Sequence, residues 1–492
     1  MDSLPDNIYS VAGVREIDRT AIEDAGIPGY TLMTRAGKAA VGEVRGRFPD
    51  LGRWQVICGA GNNAGDGYVV ARLAAAEGIA VSVVAVVDPG SLRGDAAKAY
   101  GDFAAEGGAV VPWSGLLDEN ADLLVDAMLG SGLIREVGGD FAAAVGAINQ
   151  HGATVLALDI PTGINGDSGL VMGCAVQADL TVTFVGLKSG LFIADGPDHC
   201  GQIAFAGLDI AEDCRDHSPV EFRRIGDDRV SKLLPRRRRT AHKGDFGHVL
   251  VVGGGAGMPG AIRLCGEAAL RSGAGRVSIA TDPSHASMIV ATRPELMSHA
   301  IADVKDLDQL IENADVIAFG PGLGRSPWAA GLFARLVTDE RPAVWDADAL
   351  NWLAESPASA DERVITPHPG EAATLLGLTP VEIQGDRKAA LEALQRRYGG
   401  VAVLKGSGSL VSSASGAPWL CSAGNPGMAA AGMGDVLTGI IAALIAQGLS
   451  IEAAAAVGVD VHARAGDRAA RSGERGLLAS DLVNRIQGFI NP

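Results

Sequence analysis

The chain has 492 residues, 47% of them hydrophobic, with 67 glycines and a formal net charge of −17. This length fits two or three domains with sizeable cores, and the negative charge argues against a nucleic-acid partner. The six cysteines lack C-x-x-C spacing, so neither a zinc site nor a disulfide framework is indicated. With no apolar run of about 18 residues and an N-terminus too polar for a signal peptide, we expect a cytoplasmic protein without a membrane partner.

Strands and helices alternate along the first part of the chain. The pattern predicts a helix over Tyr68–Glu77 and strands over Trp54–Cys58, Val81–Val87, Leu123–Val125, Val155–Leu158 and Leu180–Val185. Continuous Val, Ile and Leu runs are typical of strands covered on both faces, as in parallel sheets. The first half is therefore predicted to be an α/β domain, and such domains bind ligands at the carboxyl ends of their strands.

Three polar loops follow strands in this half: GAGNNAGDG at Gly59–Gly67, DAMLGSGLIRE at Asp126–Glu136 and LDIPTG at Leu158–Gly163. Oxygen atoms of Asn63, Asp126 and Thr162 could meet at one cation. A single carboxylate among neutral oxygens suits a monovalent ion better than Mg²⁺ or Ca²⁺. Asp159, at a strand end, could act as a general acid–base. Each residue alone has an ordinary alternative as a loop cap or turn residue, but together they favour a site.

These loops, with REIDR at Arg15–Arg19 and LMTRAG at Leu32–Gly37, resemble the NAD(P)H-hydrate epimerase family over about residues 10–215. The resemblance implies a Rossmann-like three-layer domain that interconverts the R and S forms of NADHX and NADPHX, the hydrated nicotinamide coenzymes. It also implies K⁺ at Asn63, Asp126 and Thr162, with Asp159 as the acid–base residue. The implied substrate contacts are Asn62, Asn63, Ala64, Gly65, Asp66, Gly130, Ser131, Gly132, Leu133, Ile134, Arg135, Glu136 and Asp159. The family usually has glycine where this chain has Ala64, which requires an ordinary backbone angle.

The segment Asp209–Arg239 interrupts the alternating pattern, because it is charged, weakly periodic and ends in PRRRR. We place the domain boundary here and predict domains at residues 1–215 and 240–492, joined by a linker at 216–239. The four arginines could be a localisation or polyanion signal, but a solvated linker is the favoured interpretation.

The second half repeats the alternation of strands and helices. Strands are predicted at Val249–Val252, Arg276–Ala280, Val316–Phe319, Ala343–Trp345, Val364–Ile365 and Val401–Leu404. The runs are again continuous and apolar, which predicts a second mostly parallel α/β domain.

Several glycine-rich loops follow these strands. Gly255–Gly260 is a literal G-x-G-x-x-G, and Asp282 lies further on at a distance that suits a ribose contact, so a dinucleotide-binding oxidoreductase is a rival hypothesis. GPGLG at Gly320–Gly324 offers flexible backbone, and TPHPGE at Thr366–Glu371 places a histidine and a glutamate on a proline-fixed turn. VLKGSGSLV at Val403–Val411 offers one lysine charge and two hydroxyls to nucleotide phosphates.

The most informative stretch is GNPGMAAAGMGDVLTG, from Gly424 to Gly439. It places Asp435 at the junction between a glycine-rich turn and an apolar helix, where backbone N–H groups and the helix dipole favour negative charge. An acid in such a place makes sense if it takes a proton from a hydroxyl while the amides hold a phosphate. The plain alternative is a glycine-rich helix cap.

In this order, KGDxGxVLVVGG, GPGLG, TPHPGE, KGSG, NPGMA and GMGD resemble the ribokinase-like superfamily. Within it, they resemble the ADP-dependent NAD(P)H-hydrate dehydratases over about residues 225–490. The resemblance implies a ribokinase-like three-layer α/β domain in which a nucleotide phosphorylates the 6-hydroxyl of the hydrated ring and phosphate then leaves. It implies Asp435 as base, with the amides of Ala431–Gly434 around the phosphoryl group and Mg²⁺ at the site. The implied nucleotide contacts are Lys405, Gly406, Ser407, Gly408, Ser409 and Gly434, and the implied dinucleotide contacts are Ala261, Gly322, Gly324, His368 and Asp435.

We therefore predict a bifunctional metabolite-repair enzyme. One domain would epimerise NAD(P)HX and the other would dehydrate its S form at the expense of ADP or ATP, releasing AMP or ADP and phosphate. We also expect a homo-oligomer. The alternatives are a ribokinase-like vitamin or sugar kinase with a fused nucleotide-binding sensor, a first domain that is only a scaffold, and an NAD-dependent dehydrogenase.

Overall fold

The computed structural model describes residues 4–226 and 229–491. The chain forms two compact units, Met1–Arg223 and Arg224–Pro492. Each unit is α/β with a mainly parallel sheet, which confirms the predicted fold class. None of the helices in the described ranges is long and apolar enough to cross a bilayer.

Among its described residues, which begin at residue 4, the first unit has ten strands and six α-helices, and the last strand crosses the boundary between the units. The strands are β1 Asn7–Tyr9, β2 Arg53–Cys58, β3 Ala80–Ala85, β4 Val110–Pro112, β5 Leu123–Ala127, β6 Thr154–Leu158, β7 Leu180–Phe184, β8 Leu187–Lys188, β9 Gln202–Ala206 and β10 Val220–Arg224. The helices are α1 Val11–Glu23, α2 Gly29–Arg47, α3 Asn62–Ala76, α4 Gly94–Ala105, α5 Gly139–Gln150 and α6 Gly196–Cys200.

A seven-stranded parallel sheet, in the order β4-β3-β2-β5-β6-β7-β9, forms the middle layer of this unit. Alternate residues of one strand enter different cores: Val56 belongs to one cluster and Ile57 to the other. Both faces are therefore covered, which explains the continuous apolar runs. The strand order reverses between β2 and β5, so the loops after these strands open a crevice at their carboxyl ends.

The part of the second unit that the structure describes, residues 224–226 and 229–491, has nine further strands and twelve further α-helices. The strands are β11 His248–Val252, β12 Arg276–Thr281, β13 Met297–Ala300, β14 Val316–Phe319, β15 Ala343–Trp345, β16 Arg363–Ile365, β17 Val401–Leu404, β18 Ser409–Val411 and β19 Trp419–Cys421. The helices are α7 Arg229–Leu233, α8 Pro259–Arg271, α9 Ala286–Thr292, α10 Asp308–Glu312, α11 Pro327–Leu336, α12 Asp348–Glu355, α13 Pro369–Leu376, α14 Pro380–Gly385, α15 Arg387–Tyr398, α16 Met433–Ala446, α17 Ile451–Ala469 and α18 Ala479–Val483.

In this unit, strands β13-β12-β11-β14-β15-β16-β17 are parallel in that order, and β18 and β19 continue the sheet antiparallel. The order reverses between β11 and β14. Helix α16 packs closely on α8: an ideal Cβ on Gly439 would lie 2.1 Å from the Cys265 carbonyl oxygen. This glycine therefore allows the helix that carries Asp435 to approach its neighbour.

The predicted strands are all present, with ends that shift by one or two residues. The sequence pattern does not indicate the short strands β1, β4, β8, β9, β13, β18 and β19, most of which contain a polar residue or proline in place of a continuous apolar run. The charged segment Asp209–Arg239 contains strand β10 and helix α7. Strand β10 pairs antiparallel with β1, so partners far away in sequence create order where the local pattern is weak.

Replacing Gly439 by Ala should destabilise the second unit by about 1–3 kcal/mol, since a methyl group would overpack the α8–α16 contact. Gly385→Ala is the matched control, because a Cβ at Gly385 meets nothing within 4 Å. Denaturant unfolding of the full chain measures both changes. Equal unfolding midpoints for the two variants would contradict this account of the helix contact.

Candidate active sites

The first unit contains a cavity of about 520 Å³ at the carboxyl ends of β2, β5 and β6. The predicted substrate residues in its wall are Asn62, Asn63, Asp66, Gly130, Ser131, Gly132, Leu133, Ile134, Arg135 and Asp159. Ala64, Gly65 and Glu136 lie outside the wall. Ala64 is fully buried within α3 and has an ordinary negative φ, so the helix accepts a methyl group at this position.

Asp159 follows β6 directly and has a left-handed backbone, with φ of 68°. It forms an ion pair with Lys188, whose side chain is only 1% exposed. The lysine ammonium also donates to the Thr183 hydroxyl and the Phe184 carbonyl, each at 3.0 Å. Burial favours the neutral acid, but the lysine outweighs it and lowers the pKa of Asp159 below its ordinary value.

Two further carboxyl groups, Asp18 and Asp66, line the same cavity. Burial raises the pKa of Asp18 to about 6, and the charge of Asp159 adds to this effect. Burial, followed by the charges of Asp159 and Asp18, raises the pKa of Asp66 well above its ordinary value. Three carboxyl groups thus surround one buried ammonium, Lys188.

Sequence reasoning assigned no role to Asp18 or Lys188. Asp18 lies on α1 inside the REIDR motif, and Lys188 is a lone cation in the apolar stretch FVGLKSGLF. The lysine in that stretch is the sequence feature that could have indicated a functional role, because a charge among buried residues requires a partner.

The predicted cation residues meet around the loop after β5. Both carboxylate oxygens of the fully buried Asp126 accept hydrogen bonds from Thr162, one from its backbone N–H and one from its hydroxyl, each at 2.7 Å. Neither the amide oxygen nor the amide nitrogen of buried Asn63 has a hydrogen-bond partner. Burial raises the pKa of Asp126 to about 6. Asn63 lies against the loop after β5, since an ideal Cβ on Gly130 would lie 3.5 Å from its amide oxygen. A buried carboxylate and an orphaned amide oxygen at one loop fit a monovalent cation.

In the second unit, Asp346 follows β15 directly and is 1% exposed. It accepts hydrogen bonds from the Lys405 ammonium at 2.8 Å and from the Thr438 hydroxyl at 2.9 Å. Burial opposes the charge of Lys405, but Asp346 and Glu371 hold the pKa of the lysine above its ordinary value. Lys405 is thus part of an ion pair, and the sequence analysis missed its partner Asp346.

Asp435 is the third residue of α16, whose N-terminal cap, Gly432, is left-handed with φ of 88°. Burial and then the charge of Asp346 raise the pKa of Asp435 to about 7. The backbone of the neighbouring Gly434 lies close against the ion pair, since an ideal Cβ there would be crowded at 3.1 Å from the Asp346 carboxylate and 3.2 Å from the Lys405 ammonium. Asp435 therefore combines a helix N-terminus with a proton affinity suited to a base at neutral pH.

The predicted dinucleotide residues of this unit come from several loops. An ideal Cβ on Gly322 would lie 3.1 Å from the Ala261 Cβ, so these two residues adjoin. The Gly324 N–H donates to the Asp348 carboxylate at 2.8 Å. The side chain of His368 is 57% exposed, its Nδ1 accepts a hydrogen bond from the Gly370 N–H at 3.0 Å, and its Nε2 lies 3.6 Å from the Glu371 carboxylate.

The predicted nucleotide loop, Lys405–Ser409, is organised by the buried Arg387. This guanidinium donates to the carbonyls of Leu404, Lys405 and Gly408 at 3.2–3.4 Å. Gly406 and Ser407 are exposed at the tip of the loop. Asp282 is the residue that the rival dinucleotide-binding hypothesis assigns to a ribose contact. Its carboxylate accepts hydrogen bonds from the backbone N–H and the hydroxyl of Ser284.

The sequence model of the family described as NAD(P)H-hydrate dehydratase matches residues 249–488, and that described as YjeF-related protein N-terminus matches residues 29–190. The chain is 46% identical over 486 residues to the bifunctional NAD(P)H-hydrate repair enzyme Nnr of Coxiella burnetii, which covers 99% of each chain. It is 42% identical to the Escherichia coli protein of the same name, over 100% of this chain and 95% of the relative.

Among solved structures, a ribokinase-like superfamily protein of Enterococcus faecalis aligns with a TM-score of 0.51 and 29% identity. The alignment covers 55% of this chain and 95% of the other. This similarity agrees with the ribokinase-like fold expected for one of the two units.

Lys405→Met should destabilise the second unit by about 3–5 kcal/mol, because it leaves the buried Asp346 carboxylate without its cation. Replacing Asp346 by Asn in the same variant removes the unpaired charge and should recover part of this loss. Denaturant unfolding of the full chain measures both variants. If the single and double variants unfold at the same denaturant concentration, the ion pair does not account for the stability.

Proposed function

The chain belongs to the family of bifunctional NAD(P)H-hydrate repair enzymes, and we propose that each unit performs one of the two reactions with the site residues described above. It has an epimerase domain and a dehydratase domain. The first would interconvert the R and S epimers of NADHX and NADPHX, and the second would return the S epimer to NADH or NADPH with an adenine nucleotide. One structural observation supports the assignment of dehydration to the second unit. The half-buried Asp435 lies in the first turn of α16, and its pKa is raised to about 7.

The hydrated nicotinamide ring would enter the cavity of the first unit. Asp159, which Lys188 keeps ionised, would be the base that meets it, and the loops at residues 62–66 and 130–136 would hold the rest of the dinucleotide. The cavity size supports this proposal, because ligand pockets of roughly 300–1,000 Å³ bury most of a ligand of this kind.

K⁺ would be held by Asn63, Asp126 and Thr162. Its support is the unpaired amide oxygen of Asn63, which lies against Gly130 in the same loop that Thr162 contacts at Leu129. When bound, the ion would supply a fixed positive charge that keeps Asp126 ionised and orders the loop that precedes Gly130.

In the second unit, Asp435 would remove the proton of the 6-hydroxyl as that oxygen attacks the terminal phosphoryl group of ADP or ATP. The amides of Ala431–Gly434 would hold the phosphoryl group, and Lys405–Ser409 with Gly434 would hold the nucleotide. Ala261, Gly322, Gly324 and His368 would contact the dinucleotide. A hydroxyl is a poor leaving group and phosphate a good one, so loss of phosphate would drive the return to the dihydropyridine.

Mg²⁺ is the expected counter-ion of the nucleotide phosphates. The site fits it, because the charges of Asp346, Asp348 and Glu371 all act on Asp435 and a single positive charge, that of Lys405, opposes them. Mg²⁺ usually needs only one or two protein carboxylates besides phosphate oxygens. Asp346 and Glu371, on either side of Lys405, would face it, and the ion would neutralise charge on the transferred group. A cytoplasmic location and a homo-oligomeric state complete the proposal.

Asp435→Asn should lower the rate of NADH recovery and phosphate release from S-NADHX by about 10²–10⁴-fold, the usual contribution of a positioned base. In the wild type, kcat/KM should rise with pH through about 7, because the base must be deprotonated. Absorbance of the dihydropyridine and a phosphate assay follow the reaction, with exchange of epimers as the control that should not change. A wild-type chain that phosphorylates a vitamin or sugar and releases no phosphate would favour the alternative kinase.

Removing K⁺ should lower epimer exchange and leave dehydration by the second unit unchanged. Asp126→Asn should reduce the response to K⁺, since it removes the only charge among the three proposed ligands. Chromatography of the R and S epimers, with K⁺ replaced by Li⁺ at constant ionic strength, measures the effect. Equal exchange rates in the two salts would contradict the proposed cation site.

A further inference from the structure

The cavity of the first unit holds more carboxyl groups than one base requires. The ionisable residues that face it are Arg15 and Asp18 on α1, Asp66 on α3, Asp95 on α4, Arg135 after β5, Asp159 after β6 and Lys188 on β8. Arg15 and Arg135 are exposed. Lys188 is enclosed and donates to Asp159, Thr183 and Phe184.

One buried ammonium can balance one carboxylate, and Lys188 is already hydrogen-bonded to Asp159. Asp18 and Asp66, which are partly buried, therefore face a negative carboxylate in the same cavity. Like charges close together in such a site cannot all ionise, so at least one carboxyl group retains its proton. Asp66 is the carboxyl group most strongly favoured to stay protonated, because burial and the charges of both neighbouring aspartates raise its pKa.

The substrate chemistry requires an acid as well as a base. The 6-hydroxyl sits on a carbon next to the ring nitrogen, so its C–O bond can break as the nitrogen lone pair forms a C=N bond. The departing oxygen then needs a proton to leave as water. Inversion follows when a water molecule adds to the other face of the carbon, the electron pair returns to nitrogen, and the added water gives a proton to a base.

We propose that Asp66 is the acid of this exchange and Asp159 its base, and that Asp18 and Lys188 are positioning residues that set the protonation of these two. Asp66 gives its proton to the leaving hydroxyl, and Asp159 receives the proton of the incoming water. Exchange in the opposite direction uses Asp159 as acid and Asp66 as base, and solvent restores the starting protonation after a net turnover. A pair of carboxyl groups whose surroundings separate their proton affinities is a common basis for such a division of roles. The inference rests on the proposed function of this cavity.

The test follows exchange of R- and S-NADHX by the full chain without nucleotide, so that dehydration does not occur. Asp66→Asn should lower exchange by about 10²–10⁴-fold at every pH. Asp18→Asn removes a negative charge near Asp66 and should therefore make Asp66 lose its proton more easily. The fall of kcat/KM at high pH, its alkaline limb, should then begin about one pH unit lower, and at pH values above this limb the rate should be about tenfold lower than in the wild type. Lys188→Met should shift the rise of kcat/KM at low pH, its acid limb, to higher pH. Without the lysine charge, Asp159 holds its proton more tightly and becomes a base only at higher pH.

Asp140→Asn is the matched control, because Asp140 is an exposed carboxyl group on α5 outside the cavity wall and should leave both limbs in place. Denaturant unfolding of each variant reports whether the first unit is folded, since dehydration of S-NADHX is assigned to the second unit. The infrared band of protonated carboxyl groups gives a second measurement. Its intensity at neutral pH should be lower in Asp66→Asn than in the wild type, whatever the activity of that variant, while the contribution of Asp435 stays in both.

An Asp66→Asn variant that keeps more than about a tenth of the wild-type exchange rate would overturn the assignment. An unshifted alkaline limb in Asp18→Asn, or an infrared band of equal intensity in the wild type and in Asp66→Asn, would also overturn it. If the wild type itself does not interconvert the epimers, the proposed epimerase function fails, which is a distinct result from failure of the acid assignment.

Discussion

A lysine buried against an aspartate at the end of a parallel strand is the interaction on which the chemistry of each unit depends. Lys188 pairs with Asp159 directly after β6, and Lys405 pairs with Asp346 directly after β15. Burial of two charges is costly, so such a pair persists only where further hydrogen bonds support it. Thr183 and Phe184 supply them in one unit and Thr438 supplies one in the other. Each pair holds one carboxylate ionised and leaves a neighbouring acid with an elevated proton affinity.

The neighbouring acid is Asp66 in the first unit and Asp435 in the second, and the pKa of each is raised by burial and by the paired aspartate. Under the proposed function, the two sites would meet their substrates with different groups. The first would present carboxyl groups to an uncharged hydrated ring, and the second would present Lys405 and backbone amides to phosphates, beside its own carboxyl groups. This difference matches one reaction that exchanges water and another that transfers a phosphoryl group. Repair of both epimers needs the first reaction to supply the substrate of the second.

The sequence predicts the long apolar strands and the loops after them because these features are local. A buried strand shows as a continuous apolar run, and a glycine-rich turn before a helix shows as a short motif, so Asp159 and Asp435 are recognisable at once. Lys188, Asp18 and Asp346 are not, because their roles arise from partners on other elements. Asp18 comes from the first helix and Lys188 from a two-residue strand, and only the folded chain brings them to Asp159. Short strands such as β1 and β10 are hidden for the same reason, since each is stabilised by a distant partner.

The left-handed backbone of Asp159, with φ of 68°, limits which side chains can occupy that position. Asparagine and aspartate tolerate this conformation better than other side chains, and glycine tolerates it without steric cost. An Asp159→Ala substitution would therefore combine a conformational penalty with the loss of the carboxylate. Its effect on activity would overstate the chemical importance of the carboxylate. An amide replacement separates the two contributions, and a glycine replacement would show how much flexibility the peptide at this strand end can accept.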